Sequence, residues 1–237
     1  MKRSGIFLFW LISLSLAACP GAHREERNAK IQRIVEDISI ARLKEDVTEL
    51  VAFGTRYPYK KQLEAAEYLH KRLGEDLGRV YFHEYEYWGV TWKNVVGEIR
   101  GKHEPEKVLV VCAHLDSKSE KRLAFAPGAD DNASGCAGVL ELARIFSGRS
   151  FQKTVRVVIF SRESDGQNGS EAYVESIESS GEEIIAALNL DMIAYGKDDE
   201  DIDLLTRPKY SWLVDKIHDL AGTYGIPSRR VVEKACY

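Results

Sequence analysis

No block of basic residues runs through this sequence of 237 residues: its 33 Lys and Arg are interleaved with 37 Asp and Glu, for a formal net charge of -4. A nucleic-acid partner needs a basic stripe to neutralise phosphates, so it is set aside. Cysteine is scarce, with four residues in all. Of these, Cys112, Cys136 and Cys236 have neither metal-finger nor C-x-x-C spacing. Cys112 lies in a run that reads as a buried strand and Cys136 on a helix, so both read as small core hydrophobes, with no disulfide and no nucleophile assigned. Internal repeats are lacking, and the one low-complexity tract is the acidic loop KDDEDID. What the chain does have is 44% hydrophobic and 30% charged residues, ample for one globular domain with a full core.

The first residues carry Lys2 and Arg3, an apolar run from Ile6 to Leu16, and small residues before Cys19. That is the pattern of a secretory signal, too short and wrongly flanked for a stable transmembrane span. Leu16-Ala17-Ala18-Cys19 also resembles the lipobox of bacterial lipoproteins, which implies that Cys19 is diacylated and becomes the mature N-terminus. The organisation expected is a signal peptide over 1–18, a lipidated tether over 19–28 and one domain over 29–237, in an exported, membrane-anchored lipoprotein of a bacterial envelope.

Periodicity places the elements. Helical spacing runs from about Ala29 to Phe53 and again from about Lys61 to Leu73. Between Val80 and Arg100 aromatic and β-branched residues alternate with polar ones, which predicts antiparallel strands. Three continuous apolar runs follow, Val108 to Ala113, Val155 to Phe160 and Ile184 to Leu190, separated by helical stretches at about Ser134 to Ser147 and Ser170 to Ser179. Short apolar runs alternating with helices indicate parallel strands covered on both faces. The fold class expected is α/β: a three-layer α/β/α arrangement with a mainly parallel mixed sheet and helices on both faces.

In open α/β sheets ligands bind beyond the carboxyl ends of the strands. His114 follows the first apolar run, Glu163 the second, and Asp191 ends the third, while the adjacent carboxylates Asp130 and Asp131 lie in the loop PGADDNASG after the first strand. Two neighbouring like charges raise the question of a divalent cation. Histidine nitrogen with aspartate oxygen is a mixture suited to zinc. Asp116, two residues beyond His114, is placed to hydrogen-bond the imidazole from behind.

FGTRYP, KNVVGEIRG, VVCAHLDS, APGADDNASGCAGVLELAR, the GS of QNGSEAYVE and NLDMIAYG, in that order, resemble the zinc aminopeptidases with co-catalytic metals, a bacterial-type family related to glutamate carboxypeptidase, the transferrin receptor ectodomain and glutaminyl cyclase. The resemblance runs from about Asp46 to Gly225. It implies that His114, Asp131 and Asp191 are metal ligands, that Asp131 rather than Asp130 is the bridging carboxylate, and that the Asp131–Asn132 peptide is cis. It implies Glu163 as general base to a metal-activated water attacking N-terminal peptide bonds, with Asp116 as the other catalytic residue and peptides as substrates.

The chain departs from the family pattern at two points. Ser164 stands at a degenerate metal position, where the family has a glutamate, and the Ser-Asp-His motif expected near the C-terminus is missing. His218, on a helix, does not read as its replacement. One zinc is therefore expected, with a second weak or absent, in a domain C-terminally shortened and exposing an apolar edge near Val231 and Val232. Two functions stay open: an exported zinc metallopeptidase of aminopeptidase type, or a catalytically degenerate homologue acting as a binding module.

Overall fold

A computed structural model of the chain describes residues 28–196 and 201–233. The signal peptide, Cys19 and nearly all of the tether lie outside the described residues, as does the first part of the acidic loop. The described residues form two compact units, one within Ala29–Glu200 and the other taking in the residues from Asp201 on together with Asn28.

The first unit begins with α1 (Ala29–Glu36) and α2 (Ile40–Ala52). Sequence spacing suggests a single helix here. The break falls before Ser39, whose hydroxyl accepts the Arg42 N–H at 3.3 Å and whose own N–H donates to Glu141 at 2.6 Å. A serine that can cap competes with helix continuation, and here it starts a new helix. Helix α3 (Tyr59–Gly74) buries Ala65, Ala66, Leu69 and Leu73, spaced along one face, and carries Lys71 and Arg72 in its last turn, where cations favour the helix dipole.

Strands β1 (Val80–Tyr87) and β2 (Val90–Ile99) pair antiparallel through a two-residue turn. Its central residues, Trp88 and Gly89, have φ of 52° and 71°, the left-handed pair that matches strand twist in tight hairpins. Strand β3 (Glu104–His114) leads through α4 (Gly135–Phe146) to β4 (Lys153–Phe160), and α5 (Asn168–Glu178) leads on to β5 (Glu183–Asn189). The sheet order is β1-β2-β4-β3-β5, with β4, β3 and β5 mutually parallel and β1 and β2 antiparallel to their neighbours.

Side chains alternate across this sheet. Val95, Val111, Ala113, Val157 and Ile159 join Leu50 of α2, Leu69 and Leu73 of α3, and Val139 and Leu140 of α4 in one cluster. Val96, Val110, Cys112 and Val158 join Tyr173 and Ile177 of α5 in the other. Helices thus cover both faces, as the continuous apolar strands require. Cys112 and Cys136 are buried free thiols, and burial pushes both up to about 12, so they act as core groups. Register matters most for function: Cys112 pairs with Val158 on one side and Asn189 on the other, so the three parallel strands end level.

In the second unit, β6 (Ile202–Thr206), α6 (Ser211–Thr223) and β7 (Ser228–Val232) form a parallel two-stranded crossover. β6 starts within the last two residues of the stretch read from sequence as acidic loop and runs on through Leu204 and Leu205. Val231 and Val232 belong to β7 and pair with Leu205 and Thr206, with Val232 remaining exposed. His218 sits on α6 with Nδ1 3.0 Å from the Ser228 hydroxyl, a local contact within this unit.

Candidate metal centre

The carboxyl ends of β3, β4 and β5 deliver four functional groups to one rim. His114 closes β3 and is buried. Its Nδ1 lies 3.0 Å from the Asp116 carbonyl oxygen, which can only accept, so Nδ1 carries a proton and Nε2 is the nitrogen left to turn toward a cation. That Nε2 faces three carboxylates: Asp131 Oδ1 at 3.3 Å, Asp191 Oδ1 at 3.6 Å and Glu163 Oε2 at 3.8 Å.

His114, Asp131 and Asp191 each offer one ligand atom, all within 4.8 Å of one another. Their charge state tests the fit of a cation. Burial by itself disfavours a charged imidazole, yet the surrounding Asp116, Asp131 and Asp191 raise the His114 pKa far above its ordinary 6.5. The pocket is short of positive charge, and a proton on Nε2 is the default occupant of a place that a divalent cation fills better. One nitrogen and two oxygens around an open position suit catalytic zinc.

Asp116 hydrogen-bonds the imidazole, as the sequence suggested, but through its backbone. Its carboxylate lies 3.7 Å from Nδ1, too far for a hydrogen bond, and the backbone carbonyl orients the ring in its place. The buried carboxylate instead accepts the N–H of Glu163 at 3.0 Å and of Ser164 at 2.9 Å. Although burial raises its pKa, the His114 imidazole and these two amides outweigh it, and the group is held ionised below the usual carboxylate range. Asp116 is thus a clamp on the segment that carries Glu163. Glu163, half-buried, has its own pKa raised by burial and by the Asp116, Asp191 and Asp131 charges, against the opposing pull of His114. A carboxylate made more basic in this way is fit to accept a proton.

The paired aspartates separate in role. Asp131 joins the metal group, while Asp130 Oδ1 turns away and accepts the Ala194 N–H at 2.9 Å. The Asp131–Asn132 peptide is cis, as the resemblance implied. Asn132, fully buried, donates to the Leu190 carbonyl at 2.9 Å and accepts the Gly135 N–H at 3.0 Å. A Cβ at Gly135 would stand 2.1 Å from that same Leu190 oxygen, so only glycine lets the two loops approach.

Two features went unread in the sequence. One is Asn132; the other is Arg56, wholly buried, whose guanidinium donates to the carbonyls of Leu50 and Leu115 at 2.8 Å, Pro127 at 2.7 Å and Gly128 at 2.9 Å. It lies within FGTRYP and fastens the loop preceding Asp131 to the end of β3. Ser164 offers no carboxylate, and its carbonyl accepts a hydrogen bond from Lys118 Nζ at 2.8 Å.

Comparison with known proteins now has a site to rest on. Residues 94–234 match Peptidase family M28. A probable zinc metalloprotease of Leptosphaeria maculans is 30% identical over 73% of this chain and 46% of its own length. A probable leucine aminopeptidase of Arthroderma otae is 31% identical over 71% of this chain and 50% of its own. The crystal structure of LapB from Legionella pneumophila shares the fold, with a TM-score of 0.73 at 23% identity over 86% of this chain and 58% of that one. The chain belongs to peptidase family M28. It spans about half the length of the curated relatives it matches. Zinc is the metal that the family and the donor set support.

Proposed function

We propose that this chain is a zinc-dependent peptidase of aminopeptidase type, exported and anchored through a lipid on Cys19, that removes N-terminal residues from peptides. The observation that carries the reading is the hydrogen bond from His114 Nδ1 to the Asp116 carbonyl, which leaves Nε2 facing Asp131, Asp191 and Glu163.

His114, Asp131 and Asp191 would hold the metal. When bound, it would supply Lewis acidity, which lowers the pKa of water toward about 7. Glu163 takes the proton of the attacking water on Oε2 and returns it to the leaving amine. Asp116 keeps Glu163 in reach by gripping its amide and the next one. Asn132 holds the Asp131 loop against Leu190, so the spacing of Asp131 and Asp191 is set before any ligand arrives.

Ser164 favours a second reading, a degenerate homologue that binds peptides without cleaving them, because a hydroxyl replaces a carboxylate ligand at that position. Zinc-loaded protein should release p-nitroaniline from leucine p-nitroanilide and leave the N-acetylated substrate intact. Equal cleavage of both would remove the aminopeptidase reading; cleavage of neither, with zinc bound, would leave the binding module. Export is tested separately: Cys19→Ser should abolish lipid labelling and membrane association.

A further inference from the structure

We propose that Lys118 and Arg122 form a carboxylate-binding subsite on the Ser164 side of Glu163, which selects peptides carrying a carboxylate beside the scissile bond; this deepens, and rests on, the peptidase reading. Lys118 lies in the loop after β3, two residues past Asp116. Its Nζ donates to the Ser164 carbonyl at 2.8 Å, and the Ser164 amide is itself held by Asp116 at 2.9 Å. The ammonium is therefore fixed to the residue next to the proposed base.

Among the described residues, Asp165 is the one carboxylate that pairs with these cations. Its Oδ1 lies 3.6 Å from Lys118 Nζ and 3.9 Å from Arg122 Nη1, both too long for hydrogen bonds, while the Tyr57 hydroxyl donates to its other oxygen. The Arg122 guanidinium rests over the Tyr57 ring, 4.6 Å from its centroid, and among the described residues it makes no hydrogen bond. Side-chain exposures of 45% for Lys118 and 46% for Arg122 leave those donors open to a ligand. Arg162, before Glu163, adds charge, but its own group is spent on Asn168 at 3.0 Å and on the faces of Tyr87 and Trp92.

Two cations, Lys118 and Arg122, set against the one charge of Asp165 repel a substrate ammonium and attract a carboxylate, and their open donors meet it with charge-assisted hydrogen bonds. That carboxylate is either the C-terminus of a dipeptide or an acidic side chain after the scissile bond.

Three probes separate the sources: leucyl-leucine, leucyl-leucinamide and leucyl-glutamic α-amide. Binding is measured by calorimetry on zinc-loaded Glu163→Gln protein, and hydrolysis on the unaltered chain. At least one acid-bearing probe should bind about tenfold more tightly than leucyl-leucinamide. Lys118→Met with Arg122→Met should collapse that ratio to about one, and Lys118→Arg should keep most of it. A C-terminal source favours leucyl-leucine, and a side-chain source favours the glutamyl amide. Equal binding of all three, or a ratio that survives the double substitution, overturns the subsite. Cleavage without any preference sinks the subsite and leaves the peptidase reading; a binding preference without cleavage does the reverse.

Discussion

Asn132 reaches across from the loop of Asp131 to the carbonyl of Leu190, 2.9 Å away and one residue before Asp191. Two candidate ligands 60 positions apart in the chain are brought together by this amide, with the Ala194 N–H to Asp130 and the Ile193 N–H to the Ser134 hydroxyl as further ties between the same segments.

Asn132→Ala should therefore weaken the metal site without touching a ligand. Orphaning the Leu190 carbonyl and the Gly135 N–H should cost about 1–3 kcal/mol of stability. Zinc affinity should fall about 10–100-fold, as for other residues that support ligands. Chelator competition and thermal unfolding measure the two effects, and unchanged zinc affinity would remove Asn132 from the site.

Glu163→Gln should keep zinc and lose hydrolysis. The side chain stays the same size and its amide still donates to Asp116, so the loop is preserved. Losing the proton acceptor should cost about 10²–10⁴ in rate. A variant that retains full activity would assign the base elsewhere.

Metal analysis after exhaustive dialysis should return about one zinc per chain, and none for His114→Ala or Asp191→Ala. Ser164→Glu should raise second-metal uptake only modestly, because Lys118 is bonded to the carbonyl of that residue and its charge opposes a second cation. Two tightly held metals in the unaltered chain would contradict this count.

Glu182 contributes to acid stability: its carboxyl is held below the usual 4.5 first by its hydrogen bonds to Arg156, at 2.8 Å each. A carboxyl depressed in the folded state contributes stability above its unfolded pKa, and loses it as pH falls through the folded value. Glu182→Gln should accordingly flatten the stability curve below about pH 4.3 and lower the plateau above it. Denaturant titrations across that window test the sign; an unchanged slope would mean that the pair contributes nothing.

The rim was legible in the sequence because each parallel strand carries a short apolar run whose end marks its carboxyl end. His114 and Asp191 come directly after such runs, and Glu163 follows its run after Ser161 and Arg162. The partner of Asp116 was not legible, since carbonyl and carboxylate of one residue sit within reach of the same ring and loop, and only the loop's path decides between them. Asn132 and Arg56 escaped for a related reason: both satisfy backbone groups, and backbone groups leave no signature in composition or spacing. The break at Ser39 and the strand from Ile202 were lost to local pattern, one helix period running into the next and a strand starting within the acidic loop.

Arg56 also ties together parts of the chain that are far apart in sequence. Its acceptors come from Leu50, Leu115 and the Pro127–Gly128 turn, three stretches that are strangers in the unfolded chain. A guanidinium without a carboxylate partner does not leave water until such a ring of carbonyls is complete. The turn before Asp131 and the interior around Arg56 therefore share one set of hydrogen bonds, and the loss of one is expected to loosen the other. Capture of the metal is then expected to follow folding, and refolding followed by tryptophan fluorescence should run at the same rate with zinc as with chelator; a faster phase with zinc would contradict this.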